Sequence, residues 1–414
     1  MKLGIIGGSF NPIHLGHLFL ADQACSALGL DRVVFIPAFL SPFKLEAGTN
    51  QQSNAKDRID MTAAAISGDF RYAIDNCEIK REGISYTINT IEDIIERYLP
   101  AGKPVLIIGD DLVGDFPKWR KYERILELAE IAVVRRFNSE AGVYSFPCIP
   151  IDNEMMDISS SKVRRKISEG SEWRSLVPSA VRVIIEDRRL YGYNEKLNEN
   201  CCAVCPQSAD SGDAKSECTH EIIQRVEDAA RRALSTDRFL HSRNTALAAV
   251  DLCRRFGLDP MAGYLAGIAH DLAKQTDGRQ LLKIVKSRKY EFAISSIEKN
   301  KPGLLHGKAA AVLLREQFCI HNNDVLEAVA CHTFGSEKMG PLAKVIYIAD
   351  KTECLRVIDP VLRAKCFNSD HLRSEADLDN LLFAVLEKTI GKLKARELNL
   401  SKDTLMLLEK ITNR

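Results

Sequence analysis

The chain has 414 residues, 45% hydrophobic and 27% charged, with a formal net charge of +1 at pH 7. That length exceeds one ordinary domain and points to two or three, while the near-zero charge offers no bulk attraction to nucleic acid or to a membrane surface. No apolar run reaches the roughly eighteen residues of a membrane span, and the opening stretch meets Asn11 and His14 too soon to be a signal peptide. The 12 cysteines stand mostly alone in apolar segments, as Cys25, Cys253 and Cys331 do, which suits reduced thiols in a cytoplasmic protein better than a disulfide framework.

Leu3 to Ile6 is a short apolar run that predicts a buried strand. Gly7 and Gly8 follow at once, so the backbone can turn tightly and approach a ligand. Pro12 limits the turn, and apolar residues at helical spacing predict a helix from His14 or Leu15 to Leu28. A strand, a glycine turn and a helix N-terminus together form an anion site. His14 and His17, three apart, share one face of the first turn. Two imidazoles there could donate hydrogen bonds to a polyphosphate and stabilise charge as a phosphoryl bond breaks.

Arg32 to Ile36 predicts a second strand, parallel to the first through the intervening helix. Pro37 to Lys44 follows its C-terminal end, where open α/β sheets bind ligands; Lys44 is a phosphate partner or a solvated loop lysine. A helix over 54–67 carries Arg58. Ser85-Tyr86-Thr87 opens another over 88–98, and the plainest reading of Thr87 is an N-cap. Pro104 to Ile108 is a continuous apolar strand ending at Gly109-Asp110-Asp111, and Trp119 begins the next helix. Glu130 to Arg136 is a further strand ending in two arginines, of which Arg135 is a candidate ligand contact, and Cys148 to Ile151 is the last strand. Ile158-Ser159-Ser160-Ser161-Lys162-Val163-Arg164 sets three hydroxyls at a helix start with Arg164 one turn in, a second anion site by the same reasoning. A closing helix follows from Pro178 to Tyr191.

The string from Gly7-Gly8-Ser9-Phe10 through His14-Leu15-Gly16-His17 resembles the H-x-G-H signature of the nucleotidyltransferases, in the form most similar to the nicotinate mononucleotide adenylyltransferases. Ile158 to Arg164 resembles that family's second signature, I-S-S-[ST]-x-[IV]-R. The resemblance implies a Rossmann-like parallel α/β domain in which the second signature holds the ATP phosphates. It implies that Gly7, Gly8, Ser9 and Phe10 line the nucleotide, and that Lys44 is the lysine of a P-x-K segment facing phosphate. Ser85, Tyr86 and Thr87, with Thr90, match an S-Y-T-x-x-T string that lies against the pyridine nucleotide. Asp111 falls on the aspartate of G-x-D-x-[LF], Asp110 fills a position that is usually small, and Trp119 falls on a tryptophan that stacks on the nicotinate ring. The implied reaction is direct adenylyl transfer from ATP to nicotinate mononucleotide, with Mg²⁺, His14, His17, Lys44 and Arg164 neutralising charge. Pantetheine-phosphate and glycerol-phosphate nucleotidyltransferases share H-x-G-H but lack the S-Y-T string and the later Gly109, Asp111 and Trp119.

Asn194 to His220 is polar and aperiodic, so it reads as a linker between a domain over 1–193 and another over 220–414. It holds Cys201, Cys202, Cys205 and Cys218; the C-x-x-C pair allows zinc, although the second half-site is tight. Beyond it the pattern is helical throughout, an all-α domain. His241 starts one helix, His270-Asp271 ends another, His306 opens a third, His332 closes a fourth and Asp350 ends a fifth, all at or near helix ends. The order H…HD…H…H…D resembles the HD phosphohydrolases. Ala269 to Lys274, Leu305-His306-Gly307, His332 to Gly335 and Ile348 to Glu353 look like the HD-domain symmetrical dinucleoside tetraphosphatases. That implies two ions of iron or another divalent transition metal on His241, His270, Asp271, His306, His332 and Asp350, with Asp271 bridging. Lys274 and Arg356 are candidate phosphate contacts, and the substrate would be a dinucleoside polyphosphate. Ser336 stands where that family often has arginine. The alternative is an HD half that senses nucleotides, against which all six ligand types are present. The sequence expects no nucleic-acid or membrane partner and is compatible with a homo-oligomer.

Overall fold

The structure, a computed structural model, describes residues 1–42, 54–135, 144–154, 156–194, 219–287, 292–356, 358–367, 374–397 and 400–412. Lys44 and the cysteines Cys201, Cys202, Cys205 and Cys218 lie outside the described residues. The chain forms two compact units, Met1–Gly212 and Asp213–Arg414. Among the described residues no helix is long and apolar enough to cross a membrane, and Cys25, Cys77, Cys148, Cys253, Cys319, Cys331, Cys354 and Cys366 are free thiols.

The first unit is built on six parallel strands: β1 (Leu3–Gly8), β2 (Arg32–Pro37), β3 (Tyr72–Ile74), β4 (Val105–Gly109), β5 (Glu130–Val134) and β6 (Ile149–Ile151), in spatial order β3-β2-β1-β4-β5-β6. The apolar runs Val33–Ile36 and Val105–Ile108 are buried, as strands covered on both faces must be. The helices between them are α1 (Leu15–Leu28), α2 (Ala55–Ala65), α3 (Cys77–Arg81), α4 (Thr87–Tyr98) and α5 (Tyr122–Leu128), and α6 (Ser160–Ser168) and α7 (Ser179–Asp187) follow β6. Gly29 ends α1 at φ 60, and its N–H bonds the Cys25 carbonyl. The chain winds outward from β1 to β3, then returns to β4 on the other side of β1. That reversal opens a crevice at the C-terminal ends of β1 and β4, and the glycine turn after β1 lies there. β3 and α3 were not expected from sequence: three and five residues are too few to show a period.

The second unit is helical among its described residues: α8 (His220–Ala233), α9 (Thr236–Phe256), α10 (Pro260–Ala269), α11 (Gly278–Lys286), α12 (Ser296–Asn300), α13 (His306–Phe318), α14 (Asn323–Cys331), α15 (Pro341–Thr352), α16 (Pro360–Phe367), α17 (Glu375–Ala395) and α18 (Lys402–Thr412). α9 is its axis, buried from Phe239 to Val250. α10 lies close against it because small residues meet: a Cβ on Gly267 would come within 2.4 Å of Ala246 Cα, and one on Gly263 within 2.6 Å of Cys253 Sγ. A buried ion pair ties α8 to this core. Arg243 Nε donates to Glu227 Oε1 at 2.9 Å, and Tyr264 Oη donates to Glu227 Oε2 at 3.0 Å. One expectation is corrected. His241 does not start a helix; α9 begins at Thr236 after Ser235, so His241 sits in its second turn. The polar string Thr236-Asp237-Arg238 supplies the first turn.

Candidate active sites

In the first unit the turn after β1 is held from three sides. Arg58, buried on α2, donates from Nη1 to the Ser9 carbonyl at 2.8 Å and the Ala38 carbonyl at 2.6 Å, tying the loops after β1 and β2 together. Arg164 on α6 donates from Nη1 to the Asn11 carbonyl at 2.8 Å, and Ser160 Oγ to the Pro12 carbonyl at 2.9 Å. Tyr191 Oη donates to Asn11 Oδ1 at 2.9 Å. The two signature strings, far apart in sequence, are therefore in direct contact. Phe10 sits at φ 44, in the left-handed region that costs a non-glycine residue free energy. Its buried ring meets His17 edge-on at 5.0 Å and Phe35 at 5.8 Å. A Cβ on Gly8 would meet that ring at 2.9 Å, whereas one on Gly7 would meet no protein atom within 4 Å. Gly8 is thus needed for packing, and Gly7 faces open space.

His14 is fully buried and occupies the N-cap position of α1. His17 lies one turn on, its ring stacked on His14 at 3.7 Å between centroids. Gly16 lets the rings sit so: its Cβ would fall 3.0 Å from His14 Nδ1 and 3.4 Å from the Ile158 carbonyl. The serines of the second signature are partly employed by the fold. Ser159 caps α6 by accepting from Lys162 N–H at 3.2 Å, and Ser161 Oγ accepts from Arg164 Nη2 at 3.3 Å.

The remaining sequence candidates lie on other loops after the strands. Ser85 accepts from Phe39 N–H at 2.9 Å, and Tyr86, not Thr87, is the cap residue of α4. Arg120 stands 4.5 Å over the Tyr86 ring. Thr90 turns inward, donating to buried Glu78 at 2.6 Å. Gly109 ends β4, and Asp111 is exposed on the short turn Asp110–Leu112. Trp119 does not begin a helix; it follows the turn Phe116–Lys118, its ring 5.1 Å from that of Phe116, and α5 starts only at Tyr122. Trp119 itself is extended, at φ −67 and ψ 143, and Lys121, at φ 55, breaks the helical path before Tyr122. Arg135 pairs with Asp152, and its N–H donates to Asn153 at 3.0 Å.

In the second unit the structure gathers all six expected ligands. His241 comes from α9, His270 and Asp271 from the end of α10, His306 from the start of α13, His332 from the end of α14 and Asp350 from the last turn of α15. The side chains form two overlapping sets, His241 with His270 and Asp271, and Asp271 with His306 and His332. Asp350 Oδ1 lies 3.0 Å from His241 Nε2 and 3.7 Å from His270 Nε2. Gly307 allows the approach of α13 and α14, since its Cβ would lie 2.9 Å from His332 Cε1.

The histidine tautomers follow from their partners. Nδ1 of His270, His306 and His332 faces the carbonyl three residues earlier, Gly267, Gly303 and Val329, at 2.6, 2.9 and 2.8 Å. Nδ1 of His241 faces Glu353 Oε1 at 3.1 Å. Carbonyls and carboxylates only accept, so each Nδ1 carries the hydrogen and each Nε2 turns a lone pair inward. Those lone pairs crowd other acceptors: His306 Nε2 is 3.1 Å from His332 Nε2 and 3.1 Å from Asp271 Oδ1. His270 Nε2 is buried with no hydrogen bond. Converging acceptors in a buried site are what a cation satisfies, so the donor set fits a divalent metal.

The electrostatics agree. Burial, opposed only in part by Asp271, pushes His270 down to about 3, keeping it neutral. Burial also lowers His306. At His241 burial lowers the pKa, but Asp350 and Glu353 outweigh it and raise it. Burial would raise Asp271 and Asp350; their histidine and lysine neighbours outweigh it and hold both well below the usual carboxylate range. Four cations surround these carboxylates. Arg238 Nη1 donates to Asp271 Oδ2 at 2.9 Å, Lys274 Nζ faces His306 Nε2 at 2.9 Å, Lys351 Nζ donates to Asp350 Oδ2 at 3.0 Å, and Arg356 Nη2 to Asp350 Oδ1 at 2.8 Å. Arg238, Lys274 and Arg356 are 35%, 34% and 42% exposed against 3% and 11% for Asp271 and Asp350, so they form the solvent side of the site.

Comparison with known proteins agrees with both geometries. Residues 5–166 match the cytidylyltransferase-like family model, and residues 238–355 match the HD domain model. A probable nicotinate-nucleotide adenylyltransferase of Treponema pallidum is 37% identical over 205 residues, which cover 46% of this chain and 99% of that protein. One of Borreliella burgdorferi is 38% identical over 191 residues, 46% of this chain and 97% of that protein. The chain belongs to the nicotinate-nucleotide adenylyltransferase family. A solved structure described as a predicted HD superfamily hydrolase involved in NAD metabolism, from Clostridium acetobutylicum, is 28% identical with a TM-score of 0.42, covering 46% of this chain and 96% of that one. By the family-model match over residues 238–355, this adenylyltransferase-family chain also carries an HD domain.

Arg58, Arg238, Glu353 and Lys351 are among the side chains at these sites not singled out from sequence. Arg58 was seen only as part of a helix. Arg238 and Glu353 each lie three residues from an expected ligand, His241 and Asp350, which is the spacing of one helical face and the signal that could have found them. Lys351 adjoins Asp350; nothing in its spacing marks that its Nζ also reaches the His332 carbonyl at 3.0 Å.

Proposed function

We propose that the chain is a bifunctional enzyme, divided into 1–193, a connector 194–219 and 220–414. The first part transfers AMP from ATP, which enters with Mg²⁺, to nicotinate mononucleotide, giving the deamido dinucleotide and pyrophosphate. A mononucleotide phosphate oxygen attacks the α-phosphorus, and pyrophosphate leaves without a covalent enzyme intermediate. The observation that carries this reading is the direct bonding of Ser160 and Arg164 to the Pro12 and Asn11 carbonyls. It sets two helix N-termini, those of α1 and α6, beside one another at the sheet's crevice, where a triphosphate would find N–H groups and positive charge. In this reading His17 and Arg164 contact the phosphates, His14 supports His17 from below, Gly7 gives the backbone access, and Ser85, Tyr86, Asp111 and Trp119 face the pyridine nucleotide. Arg135 is the weakest member of the set, since Asp152 already pairs with it.

The second part is proposed to hydrolyse a dinucleoside polyphosphate such as diadenosine tetraphosphate. Two divalent ions, iron or a similar metal, would supply Lewis acidity towards a phosphoryl group when bound. His241, His270, Asp271, His306, His332 and Asp350 would hold them, with Asp271 common to both sets. Arg238, Lys274 and Arg356 offer charge to the polyphosphate from the solvent side. A cytoplasmic place of action belongs to the same reading.

A paired assay on wild type and Asp271→Ala tests both parts. Dinucleotide formation from ATP and nicotinate mononucleotide is expected in both proteins, and tetraphosphate cleavage with Fe²⁺, Mn²⁺ or Co²⁺ in wild type alone. No dinucleotide from wild type would overturn the first part. Cleavage equal in both proteins would overturn the second.

A further inference from the structure

Three of the four ligand histidines are oriented by their own backbone. Nδ1 of His270, His306 and His332 bonds the carbonyl three residues earlier, a link that no side-chain substitution can remove. His241 differs: among the described residues its Nδ1 is held by a side chain, Glu353, from a distant part of the chain. Glu353 is 1% exposed and rigidly placed. Its N–H bonds the Ala349 carbonyl, its Oε2 accepts from Leu355 N–H at 2.7 Å, and its own carbonyl accepts from Arg363 Nη2 at 3.2 Å.

We propose that Glu353 is a positioning residue that makes His241 a metal ligand and thereby sets the affinity of one metal position separately from the other. The inference rests on the metal-binding reading of the HD site. A carboxylate on Nδ1–H fixes the tautomer that leaves Nε2 without a hydrogen, holds the ring in plane and makes the imidazole a better electron donor. His241 belongs to the set with His270 and Asp271 and not to the set with His306 and His332. Loss of Glu353 therefore weakens the first position and leaves the second, which has two backbone-held histidines and Asp271.

The test titrates metal-depleted full-length protein with Co²⁺ alone, following visible absorption and bound metal, for wild type, Glu353→Ala and Glu353→Gln. Wild type is expected to bind two Co²⁺. Glu353→Ala is expected to keep one at near wild-type affinity and bind the second about 10–100-fold more weakly. Glu353→Gln, whose amide oxygen still accepts from Nδ1–H without the charge, is expected to recover much of that loss, and it carries the test if the alanine variant does not fold. A merely structural Glu353 would lower the melting temperature of the metal-free protein with both Co²⁺ affinities unchanged, and that result overturns the inference. A uniform loss at both positions overturns it too. Wild type that binds no Co²⁺ would instead remove the metal-site reading itself, and this inference with it.

Discussion

The backbone N–H of His14 donates to Nδ1 of His17 at 3.2 Å. An N–H can only donate, so Nδ1 of His17 is the acceptor, and in the neutral ring the hydrogen sits on Nε2. The helix cap thus does two things at once. It satisfies a backbone donor at the start of α1, and it fixes His17 with a donor on its outer nitrogen, the form needed to bond a phosphate oxygen without first gaining a proton.

His17→Ala is therefore expected to lower kcat for dinucleotide formation by about 10²–10³, the range for loss of one preorganised donor to developing charge. The fall should appear in kcat more than in the KM for ATP. Steady-state kinetics with ATP varied checks the split. A variant with wild-type kcat and a raised KM would assign His17 to ground-state binding only.

Gly16→Ala separates stability from chemistry. Alanine in place of glycine favours a helix interior by about 1 kcal/mol, but here the added Cβ would sit 3.0 Å from His14 Nδ1 and 3.1 Å from Cε1. His14 is fully buried under His17, so its ring has to shift and carry His17 with it. Thermal melting is expected to change little while dinucleotide formation drops at least tenfold. Full activity would show that the stacked geometry of the two rings is not required.

Acid sensitivity of the first unit is expected to centre on Asp75. Burial alone would raise its pKa, but the Arg97 guanidinium at 2.6 Å, with hydrogen bonds from Cys77 N–H at 2.9 Å and Tyr98 Oη at 3.0 Å, outweighs burial and lowers it. A carboxyl depressed in the folded state contributes its stability above the ordinary carboxylate range and loses it as pH falls through the folded value. Asp75→Asn should thus cost about 3–5 kcal/mol at neutral pH, the usual loss when one member of a buried pair is removed. It should also flatten the decline in stability below about pH 4. Urea melts of both proteins at pH 7 and pH 3.5 measure this; parallel losses at the two pH values would mean that Asp75 is not the group responsible.

What could be read in the sequence follows from how local each cause is. The turn after β1 was legible because glycines, a proline and the switch from strand to helix period lie within a dozen or so residues. Tyr72–Ile74 was not, because a three-residue strand has no period and forms through pairing with Val33–Phe35. The helix expected to open at Trp119 begins only at Tyr122, because Lys121 adopts φ 55 where nothing in its side chain requires it. The six HD-site side chains were visible only as an ordered set, and it is the chain's return along α9, α10, α13, α14 and α15 that gathers them. Glu353 escaped because its function lies in a contact with a residue 112 positions away; Ser159 and Ser160 were visible as a pair of hydroxyls but not their separate tasks, because a hydroxyl that caps a helix and one that tethers a loop have the same neighbours in sequence.

The tightest glycine site among the described residues of the second unit gives the last expectation. A Cβ on Gly267 would lie 2.4 Å from Ala246 Cα and 2.8 Å from its nitrogen, with no flexible side chain to give way. Gly267→Ala must then push α10 from α9, at a cost of at least about 3 kcal/mol, the upper end for overpacking, against a helix-propensity gain of about 1 kcal/mol. The same glycine's carbonyl holds His270 Nδ1 at 2.6 Å, and the displacement carries His270 and Asp271 away from His241 on the neighbouring helix. Melting temperature and Co²⁺ affinity should therefore fall together in this variant, while dinucleotide formation, whose residues lie in the other unit, stays at its wild-type rate below the melting transition. Calorimetry and metal titration on the same preparation check the pairing; a protein that melts early yet binds Co²⁺ as tightly as wild type would show that the spacing of α9 and α10 does not set the ligand geometry.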